Sequence, residues 1–156
     1  MKERELTELF RRLGARHPEA SAHSQLTENL PQLARFLFLK QAWKQIVSDG
    51  DPRWISDRIR DDPQGPGGAI TSALARLRGQ GASEADLTTV VRVMQWRLLA
   101  SLCRLLDDPG ELEPEVKDIA WRLFQVDEDN QPIAVLAGFL ESVLDTDPSG
   151  REMRPK

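Results

Sequence analysis

The chain of 156 residues has 40% hydrophobic residues and carries 21 lysines and arginines against 25 aspartates and glutamates, a net charge of −4. That length suits one domain, in which folding removes about 70% of the unfolded chain's surface from water. The composition argues against disorder, and no apolar run reaches the roughly 18 residues that a membrane span needs, which argues against a membrane protein.

Charge is unevenly distributed along the chain. Residues 1–78 carry 13 basic and 10 acidic side chains, whereas residues 79–156 carry 8 and 15. Between residues 107 and 147 there are 12 acidic residues, opposed only by Lys117 and Arg122. A surface of this sign repels nucleic acid and favours a basic partner.

The amino terminus and the cysteine content predict a cytoplasmic protein. Charged and apolar residues alternate in MKERELTELF, whereas a secretory signal has a basic segment followed by an uninterrupted apolar one. Cys103 is the only cysteine, which excludes a disulfide within the chain and fits a reducing compartment.

The first half of the chain predicts five helices from apolar spacing and from local start and stop residues. Gly14 ends the first of them, and Pro31 interrupts the second and begins the third. The predicted helices cover residues 2–13, 18–30, 31–48, 52–60 and 66–78.

The stretch 83–107 predicts a long helix around which the rest of the chain is organised. Ser83 followed by Asp86 is a helix-start signal. One apolar stripe comprises Leu87, Val91, Met94, Leu98, Leu102 and Leu105, and a second comprises Val93, Trp96, Ala100 and Cys103. A helix that is apolar on two sides is normally buried between other elements, so we expect a central buried helix and an inert Cys103 thiol.

After this helix the pattern predicts a further helix from Glu113 and a last one around residues 136–144. Residues 122–136 fit either a continued helix or a small β-hairpin, because apolar residues flank the turn-rich sequence DEDNQP. The predicted fold is therefore mainly α: a single helical domain over 1–147 with about six to eight helices, followed by a mobile tail over 148–156.

No motif predicts catalysis, a cofactor or a metal site. His17 and His23 are six residues apart, whereas a helical zinc pair needs i, i+4. A calcium loop counted from Asp127 would have Pro132 and Gly138 where glycine and glutamate are required. The loop GPGG lacks the preceding strand and the following Gly-Lys-Ser/Thr of a phosphate-binding loop. We therefore predict no catalytic residue, cofactor or metal, and leave enzymatic activity open.

The charge pattern favours a non-catalytic protein-binding, adaptor or inhibitor module that acts through the acidic half. Its predicted interaction surface comprises Asp127, Glu128, Asp129, Arg97 and Arg104. The partner is expected to be a protein, basic in character, and neither nucleic acid nor membrane.

Two alternatives compete with that reading. One is a small-ligand-binding protein or an enzyme, with a pocket between the central helix and the 31–48 helix that comprises Trp43, Arg92 and Trp96. The other is a homo-oligomer in which the second stripe of the central helix packs against its copy.

Overall fold

The computed structural model describes residues 1–155; Lys156, the last residue of the predicted tail, lies outside the described residues. Over that range the chain is mainly α-helical, with seven helices and one small antiparallel sheet, which confirms the predicted fold class. The helices are α1 (Glu3–Leu13), α2 (Pro18–Thr27), α3 (Gln32–Trp43), α4 (Arg53–Ile59), α5 (Ala69–Gly79), α6 (Glu84–Asp107) and α7 (Phe139–Ser142). The strands are β1 (Leu123–Val126) and β2 (Pro132–Leu136).

The chain divides into two compact units. Residues 1–43 with 98–155 form the first unit, and residues 44–97 form the second. The boundary falls within α6, whose residues up to Arg97 are described with the second unit. The single domain over 1–147 and the mobility of 148–156 stay predictions.

In the first unit, α1 and α2 pack around a small apolar cluster. Leu6, Phe10 and Ala22 are fully buried, and the ring of Phe36 meets Phe10 edge-on with centroids 5.9 Å apart. Gly14 ends α1 with φ at +87°, a left-handed conformation that glycine adopts without steric cost, as the sequence predicts.

Helix α3 ends five residues before the predicted Ser48. Trp43 is only 2% exposed, and its indole N–H donates to the carbonyl of Val143 at 2.8 Å and to the hydroxyl of Thr146 at 3.0 Å. This anchors the last turn of α3 against the carboxyl-terminal part of the first unit. The prediction of a helix to Ser48 is wrong because helix propensity could not reveal this tertiary contact.

In the second unit, side chains of α6 form hydrogen bonds with the backbone of Val47, in the segment that follows α3. The N–H of Val47 donates to Oε1 of Gln95, and the carbonyl of Val47 accepts from Arg92, at 2.8 and 2.7 Å. Trp54 of α4 donates to the hydroxyl of Thr88 at 3.0 Å. The two bonds to Val47 replace helical hydrogen bonds that its backbone groups would otherwise make.

The helix predicted from Glu113 does not form. Residues 114–118 are turns, with Val116 and Ile119 donating to carbonyls three residues earlier. Val116 and Ile119 are 37% and 57% exposed. A short helix needs an apolar face packed against a neighbour, and none covers these side chains in the described residues, which is why this prediction is wrong.

Residues 122–136 adopt the hairpin rather than a continued helix. Strands β1 and β2 pair antiparallel, with Leu123 opposite Leu136 and Phe124 opposite Val135. The register shifts between Gln125 and Val126, so β2 contains one residue more than β1 across this step.

Helix α7 follows the hairpin and is much shorter than predicted. Both carboxylate oxygens of Asp107, the last residue of α6, accept backbone N–H groups at its start, from Phe139 at 3.1 Å and Leu140 at 2.9 Å. Gly138 precedes α7 with φ at +74°, and Arg35 of α3 donates to the carbonyl of Ala137 at 2.8 Å. Asp107 and Arg35 thus fix the junction between the hairpin and α7.

The two apolar stripes of α6 differ in burial. In the second stripe Cys103 is fully buried and the other three residues are half-buried. In the first stripe Leu87 and Val91 are half-buried, but the remaining four residues are 48–61% exposed: Met94, Leu98, Leu102 and Leu105. The expectation that both stripes are buried is wrong for the first, because an apolar stripe is buried only where another element packs on it, and these four side chains remain exposed.

Candidate protein-binding surface

The outward side of the hairpin is apolar. Phe124 and Val126 of β1 point to this side, and Phe124 pairs with Val135 across the strands. These side chains and Ile133, the extra residue of β2, are 44–59% exposed. The opposite side contains Leu123, Gln125, Ala134 and Leu136, which are half-buried or buried. We call Phe124, Val126, Ile133 and Val135 the outer face of the hairpin.

A second exposed apolar group adjoins the start of the hairpin. The indole N–H of Trp121 donates to the carbonyl of Leu105 at 2.6 Å, which holds the residues before β1 against the last turn of α6. Trp121 is 40% exposed, and Leu98, Leu102 and Leu105 lie along one side of α6 at spacings of four and three residues. We call these four residues and the outer face of the hairpin together the apolar surface, whose two parts are connected through Trp121.

The turn between the strands supplies negative charge at one end of this surface. One carboxylate oxygen of Asp127 accepts the N–H groups of Asp129 and Gln131, at 2.9 and 2.8 Å. Asp127 therefore shapes the turn. All three predicted acidic interaction residues are exposed, so their charge faces solvent at the end of the hairpin.

The two arginines of the predicted interaction surface lie on α6. Both Arg97 and Arg104 are exposed. Arg104 belongs to the first unit, beside Leu105, whereas Arg97 belongs to the second. That all five charged residues form one surface stays a prediction.

The three residues of the predicted pocket belong to two different units. Trp43 is a core residue of the first unit, bonded to Val143 and Thr146. Arg92 and Trp96 belong to the second unit, where Arg92 is 6% exposed and Trp96 holds a buried indole N–H with no hydrogen-bond partner in the described residues.

Each unit contains an open cavity. In the first, about 350 Å³ lies between residues 15–17, residues of α2 and α3, and residues 142–146. In the second, about 750 Å³ lies between residues 44–48, α4 and α6, and none of the three predicted pocket residues lines it. Arg53, on its rim, binds Asp51 through three hydrogen bonds of 2.5–2.9 Å, which holds the pKa of that carboxyl down at about 2.

The single cysteine is unsuited to nucleophilic chemistry. Cys103 is fully buried in α6, and burial, with a smaller contribution from the charge of Asp107, raises the pKa of its thiol to about 11. Since the thiolate is the reactive form, this side chain is inert near neutral pH, as the sequence predicts.

Comparison with models of protein families, with curated proteins and with solved structures finds no match to this chain. In residues 1–155 no cluster of three or more histidine, cysteine, aspartate or glutamate side chains could hold a metal ion. Nor does any helix in that range combine the length and apolar character needed to cross a membrane.

Sequence reasoning missed the part that apolar residues play in the candidate surface. It selected charged residues, whereas the structure exposes eight large apolar side chains beside them. Apolar residues on both sides of DEDNQP, LFQV before it and IAVL after it, fit a strand pair that is apolar on both faces. The sequence does not show which of the two faces a neighbouring element covers.

Proposed function

We propose that the protein is a non-catalytic binding module that recognises a basic, partly apolar segment of another protein through the apolar surface. The observation that carries this proposal is the outer face of the hairpin, four apolar residues that are each 44–59% exposed. Contiguous exposed apolar patches rimmed by polar residues mark interaction sites on folded proteins. Their aromatic members, Phe124 and Trp121, are of the type enriched in the centres of interfaces.

Charge supports a basic partner over a second copy of the chain. Residues 107–147 contain the hairpin and the end of α6, and carry 12 acidic residues against two basic ones. Two copies meeting through this region would bring like charges together, which disfavours association. A partner with lysine or arginine flanking its apolar residues would instead gain from the same charges.

Ligand binding in the cavity of the second unit is the weaker candidate. The three arginines among its lining residues are already bound to carboxylates: Arg53 to Asp51, Arg58 to Asp61 and Arg60 to Asp57. An anionic ligand would have to compete with these ion pairs for the same guanidinium groups.

Two labelled peptides test the proposed function by fluorescence anisotropy. One is a strand-forming peptide of alternating valine and lysine, and the other is a helical peptide with leucine on one side and lysine on the other. At least one of them should bind, and its affinity should fall by roughly tenfold or more as salt rises from ~0.05 to ~0.5 M, because salt screens exposed charges.

Matched variants test whether the peptide binds at the apolar surface and the acidic turn beside it. Phe124→Gln, and the pair Glu128→Gln with Asp129→Asn, should each weaken binding about tenfold, equivalent to ~1.4 kcal/mol. Val90→Gln is the control, since Val90 is 60% exposed but lies outside the apolar surface. If neither peptide binds, or if the control loses as much affinity as Phe124→Gln, the proposed function is refuted.

A further inference from the structure

Both strands of the hairpin have an edge with no neighbouring strand. The sheet contains only β1 and β2. In the described residues, the backbone of 123–126 and 132–136 makes no hydrogen bond outside the hairpin. The outward N–H and C=O groups of each strand are therefore available to pair with an added strand.

The two edges are not equivalent. Strand β2 begins with Pro132, which lacks a backbone N–H, and contains the extra residue Ile133 that shifts the register. Proline and bulges both hinder the addition of a further strand at an edge. Strand β1 has neither: its four residues, LFQV, contain no proline and no inserted residue.

We propose that the partner binds as a third strand along the free edge of β1, in an extended conformation with alternating apolar and basic residues. This inference rests on the proposed function and specifies the conformation and position of the partner segment. Its apolar side chains extend the outer face of the hairpin beside Phe124 and Val126. The charge of its lysine or arginine residues is matched by Glu128 and Asp129, which follow β1 in the turn.

A third strand would supply the backbone pairing along β1 that the two-stranded hairpin lacks. A two-stranded sheet by itself is marginally stable in water, and three or more strands with an apolar face are needed for independent stability. Backbone hydrogen bonds along β1 would give affinity, while the alternation of side chains would give specificity. A helical partner would cover the apolar side chains but leave the edge of β1 unpaired.

The test uses the valine–lysine peptide and compares one substitution in each strand of the full chain. Val126→Lys and Val135→Lys introduce the same charge on the same face, at positions 46% and 44% exposed. A peptide strand next to β1 lies ~5 Å from β1 but ~10 Å from β2. We expect Val126→Lys to weaken binding about tenfold and Val135→Lys by about threefold or less, because a charge at residue 126 lies directly beside the apolar side chains of the added strand, whereas a charge at residue 135 is one strand further away.

Hydrogen exchange identifies the edge independently of any substitution. With the peptide bound, amides of β1 should exchange more slowly, while those of β2 should be little changed. Two peptides are N-methylated at alternate residues, one at every valine and the other at every lysine, and both keep all their side chains. Only one of these sets of N–H groups faces β1, so at least one of the two peptides should bind about tenfold more weakly.

Several results would overturn this inference while leaving the proposed function in place. These are binding of the helical peptide alone, equal losses from the two valine substitutions, or new protection in β2 instead of β1. Protection of β1 without peptide, together with a dimeric mass in light scattering, would assign the edge to a second copy. Absence of binding by both peptides would refute the proposed function as well.

Discussion

Removing the carboxylate of Asp107 should destabilise the first unit by about 2–3 kcal/mol. This side chain accepts two backbone N–H groups at the start of α7, from Phe139 at 3.1 Å and Leu140 at 2.9 Å. Loss of a helix amino-terminal cap costs ~1 kcal/mol, and a hydrogen bond to a charged group contributes ~1.5–3 kcal/mol. Because Asp107 is half-exposed, water can reach part of the site. We therefore take a value below the full contribution of two hydrogen bonds to a charged group.

A second effect acts in the same direction through Arg35. Burial lowers the pKa of this arginine, and the charges of Glu141 and Asp107 oppose that shift by favouring the guanidinium. With Asp107→Ala the guanidinium loses one of these charges and is less well compensated. Asp107→Asn keeps one acceptor oxygen without the charge, so it should cost less than Asp107→Ala, about 1–2 kcal/mol.

Urea unfolding monitored by fluorescence measures these costs. Trp43 reports on the same region, because its indole N–H is bonded to the carbonyl of Val143. Asp108→Ala is the control: its carboxylate caps only the exposed N–H of Gly110 at 2.9 Å, so its cost should stay within ~0.5 kcal/mol. If Asp107→Ala and Asp108→Ala unfold at the same urea concentration, the capping argument is refuted. Hydrogen exchange of the Leu140 amide should accelerate only in the Asp107 variants.

Two further predictions concern the same unit. Gly138→Ala should destabilise it more than Gly110→Ala in urea unfolding: both glycines have positive φ, of +74° and +75°, but only at residue 138 would an added Cβ meet the guanidinium of Arg35. Equal costs, each ~1 kcal/mol from the left-handed backbone alone, would contradict a clash there. The raised pKa of Cys103, about 11, predicts that stability is full below the unfolded thiol's pKa of ~8.5 and falls as pH rises towards 11, because the unfolded chain loses its proton first. Thiol labelling at pH 8 should accordingly be limited by unfolding, and rapid labelling of the folded chain would contradict the burial.

Features that depend on a few adjacent residues could be predicted from the sequence. Gly14 ends α1, and the hydroxyl of Ser83 accepts the N–H of Asp86 at 3.2 Å at the start of α6, as their positions indicate. The turn-rich sequence between two apolar runs likewise indicated a hairpin as one of two alternatives, and the hairpin forms. In each case the bonds that decide the structure lie within a few residues of one another.

The candidate surface could be predicted only in part. Its negative charge follows from counting residues, and Glu128 and Asp129 lie exposed in the turn. The exposure of its apolar side chains was not predicted, because an apolar stripe such as that through Leu98 and Leu102 normally indicates a buried face. Whether a face is covered depends on where distant segments pack.

The sequence by itself determined the helical class, the position of most helix boundaries and the acidic character of residues 107–147, because these depend on local propensity, on caps and on composition. The tertiary structure alone decided that α3 stops at Trp43, that residues 114–118 are turns, and which stripe of α6 faces the core. The physical reason is that an apolar pattern shows which side chains gain from burial, whereas burial itself requires a partner surface that the rest of the chain supplies or leaves open.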